Sequence, residues 1–156
     1  MPGTEWATTP PYIIHSKWPA VYTLRTTSLE MGENTRPTYN DDQITAYLDR
    51  IKLPEKERKY EVAELTPEEQ LHFLAQLQKH QLAEIPFENL TLHYSFHRQI
   101  SIDPEELFKK VVSDNNGRGG HCMENNFLFD TLLRSLGFRI YSAGARVFDD
   151  GSWSGW

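Results

Sequence analysis

The segment Asp114-Asn115-Asn116-Gly117-Arg118-Gly119-Gly120 most restricts the folds open to this chain. Three glycines and two asparagines in seven residues cannot propagate a helix, so the run marks a sharp turn. Directly after it, Met123, Phe127, Leu128, Leu132 and Leu136 recur at helical spacing, and Gly137 supplies a C′ stop. Cys122, the only cysteine, therefore falls where a glycine turn meets an amphipathic helix. The free N–H groups of that first turn and the helix dipole favour a thiolate. Gly119 and Gly120 carry no side chains, so a bulky substrate has access to the sulfur. From spacing alone two readings stand side by side: a nucleophile, and a buried inert cysteine on a helix face.

Upstream, residues 41–120 are rich in helix signals and hold most of the negative charge, with 10 basic and 15 acidic side chains. Asn40 is a plausible N-cap with Asp41 and Asp42 in the first turn. Ile44, Tyr47, Leu48 and Ile51 then form one apolar face, and Pro54 is expected to close the helix. Thr66-Pro67-Glu68-Glu69 is a capping box with proline at the first helical position, and Leu71, Leu74, Leu77 and Leu82 read as the buried stripe. Asp103-Pro104-Glu105-Glu106 repeats the start signal ahead of Leu107, Phe108, Val111 and Val112. Phe138 to Phe148 is expected to be a strand, and residues 149–156 a turn.

Residues 1–35 differ: Pro2, Pro10, Pro11 and Pro19 interrupt a stretch with no sustained periodicity. They are read as an irregular leader, with Met31 a candidate start. The division expected is 1–35 leader, 36–137 helical domain with Cys122, and 138–156 first strand of a second, incomplete domain. A hydrophobic share of 38% falls short of the usual ~45–50%, which fits a polar leader and missing core. The net charge of −6 argues against a nucleic-acid partner, and the apolar runs are too short for a membrane span. One free thiol and no signal-like N-terminus suggest a cytoplasmic protein. His93 and His97 lie four apart in a β-like Tyr-Ser-Phe context without a third ligand, so they read as solvent-facing and no metal is expected.

Arg118-Gly119-Gly120-His121-Cys122-Met123-Glu124-Asn125-Asn126 resembles the active-site segment of the arylamine N-acetyltransferases, Arg-Gly-Gly-aromatic-Cys-x-Glu/Gln-x-Asn. Arg36-Pro37-Thr38-Tyr39, Pro86-Phe87-Glu88-Asn89-Leu90, Leu136-Gly137-Phe138 and Ala145-Arg146-Val147 resemble family segments in the same order. His121 departs from the family's usual aromatic residue. The resemblance implies an α+β fold, a helical N-terminal domain followed by the start of a β-barrel domain, with a cysteine-protease-like thiol site. It implies ping-pong transfer of an acetyl group from acetyl-CoA, a substrate and not a bound cofactor, through Cys122 to an aromatic amine. Arg118 and Glu88 resemble an ion pair that braces the active-site loop. Glu124 and Asn126 are expected to orient the helix start.

The resemblance also places a catalytic His and Asp after the cysteine, yet none of the 34 residues following Cys122 is a histidine. The chain is therefore expected to stop at Gly155-Trp156, just short of its general base, and to be inactive alone. Removing the base of a comparable triad costs about 10⁶ in turnover. His121 is expected to be a poor substitute, since neighbours at a helix start point in different directions. A non-catalytic fragment or pseudoenzyme, and a papain-like thiol hydrolase, are the alternatives. Acetyl, propionyl and malonyl donors all stay open.

Overall fold

The computed structural model describes residues 36–114, 116–146, 148–149 and 151–153. The expected leader, Met31, and the terminal Gly155-Trp156 lie outside the described residues. No described helix is long and apolar enough to cross a membrane.

Helix α1 spans Asp41–Arg50. Its start is local chemistry: Asn40 Oδ1 accepts from Gln43 N at 2.9 Å, and Gln43 Oε1 accepts from Asn40 N at 3.0 Å. Ile44, Tyr47, Leu48 and Ile51 are all buried, as their spacing predicts. Pro54 does not close this helix. Lys52, at φ 53°, turns the chain left-handed first, and Pro54 instead precedes a 3₁₀ turn at Glu55–Glu57.

Helix α2 is Pro67–Glu84. Thr66 Oγ1 accepts from Glu69 N at 3.3 Å, and Glu69 Oε2 accepts from Thr66 N at 2.9 Å. The buried stripe needs correction: Leu71 is 69% exposed and Leu82 58%, while Phe73, Leu77 and Gln81 face the core. Tyr47 Oη donates to Gln81 Oε1 at 2.6 Å, so a polar side chain holds the third place in the row. Phe73 stacks on Phe138 with ring centroids 6.3 Å apart.

The context of His93 is helical and not β-like, because α3 occupies Leu90–Tyr94, where Leu92 N and His93 N both donate to Asn89 O. Helix α4, Pro104–Phe108, starts as expected, with Asp103 Oδ1 accepting from Glu105 N and Glu106 N at 3.0 Å each. It widens into a π turn over Lys109–Ser113, with Asp114 N bonding Lys109 O at 2.9 Å. Leu107, Phe108, Val111 and Val112 are buried across this change of pitch.

Helix α5 runs Cys122–Ser135. Leu128, Leu132 and Leu136 are fully buried, Phe127 is half-buried, and Met123 is exposed. Gly137, at φ 87°, ends the helix: its N–H bonds Arg134 O and Phe138 N bonds Leu133 O, both at 3.0 Å. These helices close around one core, in which Tyr39 packs on Phe108 with ring centroids 5.0 Å apart. Each fully buried leucine in it is worth about 1.5–3 kcal/mol.

The strand expected over Phe138–Phe148 does not form across residues 138–146, which run without regular structure. A strand needs a neighbour to satisfy its ladder, and no described strand lies alongside. Ser142 Oγ instead donates to Asp130 Oδ1 at 3.0 Å on α5. The two described strands form one hairpin: β1, Phe148–Asp149, pairs antiparallel with β2, Ser152–Trp153, around Gly151 at φ 81°. The described residues are thus mainly helical, and a barrel start is not among them.

Candidate active site

Two loops make the site. Pro86–Glu88 follows α2 and Arg118–Gly120 precedes α5. They join through a parallel bridge, with Gly120 N donating to Pro86 O at 3.2 Å and Glu88 N to Gly120 O at 3.0 Å. Any Cβ on Gly119 would run into the Pro86 carbonyl, so the close approach itself demands glycine there. Asn125, which is 5% exposed, staples the two strands of chain: its Nδ2 donates to Gly120 O at 3.1 Å and to Pro86 O at 3.3 Å. Its Oδ1 is buried without a partner.

A chain of charges underlies this junction. Glu88 Oε1 accepts from Arg118 Nη2 at 2.8 Å and from Arg118 Nε at 3.1 Å. Lys110 Nζ lies 3.5 Å from the same Glu88 oxygen and 2.8 Å from Glu124 Oε1. Glu124, whose side chain is 3% exposed, uses Oε2 to accept from His121 N at 2.8 Å, and so holds the first turn of α5. Burial pushes the Glu88 carboxyl up, but the Arg118 hydrogen bond, the Leu90 N–H and the nearby Lys110 charge outweigh it and leave it below the ordinary range. The pairing of Arg118 with Glu88 is therefore present as geometry, and two further groups extend it.

Cys122 is the first residue of α5 and is exposed, so the inert buried cysteine is not what the fold presents. It opens on a cleft of about 360 Å³ lined by Phe87, Glu88, Asn89, His121 and Cys122. The expectation that His121 points away is corrected: its Nδ1 lies 3.3 Å from Cys122 Sγ. His121 has extended backbone (φ −63°, ψ 160°) and Cys122 is already helical. This break in conformation aligns two side chains that a continuous helix would spread apart.

The other expected residues divide. Arg118, Gly119, Gly120, Glu88 and Glu124 all meet at this junction. Asn126 does not: it is exposed on α5, and its neighbour Asn125 does the stapling. Sequence reading missed Lys110, Asn125 and Arg50, whose guanidinium donates to Val111 O, Glu84 O and Arg118 O. Lys110 follows Leu107 by three residues and so shares its buried side, a signal that was available. Asn125 and Arg50 carried none, because their partners lie far along the chain. His93 and His97 are exposed, and no metal-binding group of His, Cys, Asp or Glu occurs among the described residues.

This arrangement suits covalent acyl chemistry: an accessible thiol at a helix start, an imidazole beside it, and a rigid charge-paired floor. Comparison with known proteins points the same way. A family model described as N-acetyltransferase matches residues 70–153. An N-malonyltransferase of Fusarium pseudograminearum is 40% identical over 116 residues, covering 71% of this chain and 33% of the relative. Arylamine N-acetyltransferase 2 of Rattus norvegicus is 32% identical over 106 residues, covering 68% of this chain and 32% of the relative. A pineal gland isozyme of arylamine N-acetyltransferase from Gallus gallus is 37% identical over 79 residues, 51% of this chain and 26% of the relative. The chain spans about a third or less of the length of these relatives. With the family model covering more than half of its residues, this chain belongs to the arylamine N-acetyltransferase family.

Proposed function

We propose that this chain carries the acyl-accepting thiol of a ping-pong N-acyltransferase. Cys122 takes an acyl group from an acyl-CoA thioester and passes it to the amino group of an aromatic amine. The observation that carries the reading is the exposed Cys122 sulfur at the first residue of α5, on the rim of an open cleft. Holding the acyl group on sulfur splits one slow displacement into two faster ones. Phe87, 61% exposed on the same cleft, offers a flat apolar face to an aromatic acceptor. Glu88, Lys110, Arg118 and Glu124 act by positioning the loop and helix start.

Acetyl-CoA is the donor in this reading, as a substrate. A malonyl donor is the second reading, favoured by the identity to the Fusarium malonyltransferase. The thiol site is cysteine-protease-like in layout, residues after the helical part begin a β domain, and a reduced nucleophile suits the cytoplasm. Intact-mass analysis after incubation with acetyl-CoA or malonyl-CoA tests the proposal. One adduct is expected, absent from Cys122→Ser and discharged by an added arylamine. No adduct from either donor overturns the acyl-transfer reading. Release of free acid without amine favours a thiol hydrolase.

A further inference from the structure

We propose that His121 selects the acyl donor: its imidazole binds the carboxylate at the far end of a malonyl group and so favours malonyl over acetyl thioesters. The inference rests on the reading of Cys122 as the acyl-accepting thiol and chooses between the two donors left open there. The role is one of binding. The ring holds the distal end of the acyl group and is asked for no proton from the sulfur.

Malonyl-CoA and acetyl-CoA share the carrier, the thioester and the carbon beside it, and differ by one carboxylate. Whatever separates them must meet that group. His121 Nδ1 lies 3.3 Å from Cys122 Sγ, so the ring stands beside the atom that carries the acyl chain. The malonyl carboxylate follows the thioester carbonyl by a single methylene, which keeps it close to the same sulfur. A carboxylate that leaves water for a cleft needs a donor, and a charged one holds it best. The cleft is lined by Phe87, Glu88, Asn89, His121 and Cys122. Of these, Phe87 is hydrocarbon, Glu88 is itself an anion, and Cys122 is the point of attachment. Asn89 offers a neutral amide. His121 alone of the five offers a ring that becomes a cation near neutral pH. It is also where the sequence departs from an aromatic residue, which would carry no charge.

The charged groups around the pair are engaged with one another. Arg118 gives Nε and Nη2 to Glu88 and reaches Thr91 Oγ1 at 3.3 Å. Lys110 from the π turn spans Glu88 and Glu124. Glu88 accepts further from Leu90 N, and Glu124 from His121 N. Two carboxylates and two cations thus cancel, and the imidazole sets the balance for an incoming anion. The transfer needs no further reagent. The Cys122 sulfur bonds the malonyl carbonyl carbon, the donor S–C bond breaks, the thiol proton ends on the CoA sulfur, and the carboxylate is carried across unchanged.

Two readouts test this on the 156-residue chain beside His121→Phe and His121→Ser. Serine is a good N-cap, so this variant decides the matter where phenylalanine impairs folding. The first readout compares Cys122 alkylation by iodoacetate and by iodoacetamide, which bring a carboxylate or a neutral amide to the same sulfur. Both consume the same thiolate, so the ratio of their rates cancels any change in sulfur reactivity. The iodoacetate-to-iodoacetamide ratio is expected to fall about fivefold or more in both variants. It should stay unchanged in His93→Asn, which removes an exposed imidazole on α3. The second readout is the pair of adducts formed from an equimolar mixture of the two CoA donors, resolved by intact mass. The malonyl adduct is expected to predominate in the unaltered chain and to lose that lead in both variants. An unchanged alkylation ratio, or the same adduct shares with and without His121, overturns the inference even where acyl transfer occurs. A lowered alkylation ratio in a chain that takes neither acyl group sustains the carboxylate contact at His121 and overturns the acyl-transfer reading instead.

Discussion

Glu88 is the residue on which the two loops of the site depend electrostatically. Its carboxylate accepts from Arg118 and from the N–H of Leu90, with Lys110 close by, and the net effect lowers its folded-state proton affinity. The sign follows. A group that binds protons less tightly when folded stabilises the fold above its unfolded value of about 4.5, and this contribution fades as pH falls through the lower folded value. Glu88→Gln is therefore expected to lower stability by about 2 kcal/mol at neutral pH. The gap to the unaltered chain should close in acid, as read from urea midpoints against pH. Arg118 and Glu88 were both legible in the sequence through their motifs. Lys110 was not assigned a place, although it carries the charge that joins Glu88 to Glu124.

At the scale of elements, the side-chain-capped helix starts were legible, the uncapped start of α3 was not, and helix faces were only partly so. Asn40, Thr66 and Asp103 each cap a helix through atoms two or three residues away, an interaction written entirely in local sequence. The rotation of α2 about its axis is different. Leucines at 71, 74, 77 and 82 suggest one face, yet the row Phe73, Leu77 and Gln81 meets the core because Tyr47 and Phe138 wait there. Leu77→Ala is expected to cost about 2–5 kcal/mol. Leu71→Ala and Leu82→Ala should each stay within about 0.5 kcal/mol. Chemical denaturation of the three variants checks this orientation directly. The segment 138–146 shows the same limit, since alternating residues make a strand only where another strand accepts their hydrogen bonds.

Across the whole described molecule, Arg50 ties the site to the rest of the fold. Its guanidinium donates to Val111 O at 3.0 Å, Glu84 O at 2.8 Å and Arg118 O at 3.1 Å, carbonyls of the π turn, the end of α2 and the glycine turn. One planar fork thus fixes three segments that converge on the Cys122 loop. Arg50→Met is expected to destabilise by about 3 kcal/mol and to slow Cys122 alkylation, since the loop loses its anchor. Arg50→Lys should recover little, because an ammonium cannot span three divergent carbonyls. Denaturation midpoints and alkylation rates on the same samples check both effects.

The sequence by itself determined where α1, α2, α4 and α5 begin, that Gly137 ends α5, that Cys122 heads that helix, and which family its motifs resemble. All of these rest on interactions within a few residues or on contiguous motifs. Only the tertiary structure decided which face of α2 is buried and which residues form the floor beneath Cys122. Arg50 meets carbonyls 34, 61 and 68 residues away, and Asn125 reaches back 39. No local pattern encodes such partners. The direction of His121 was decided by the fold as well, because a single change of backbone conformation at the helix start turns its ring toward the sulfur.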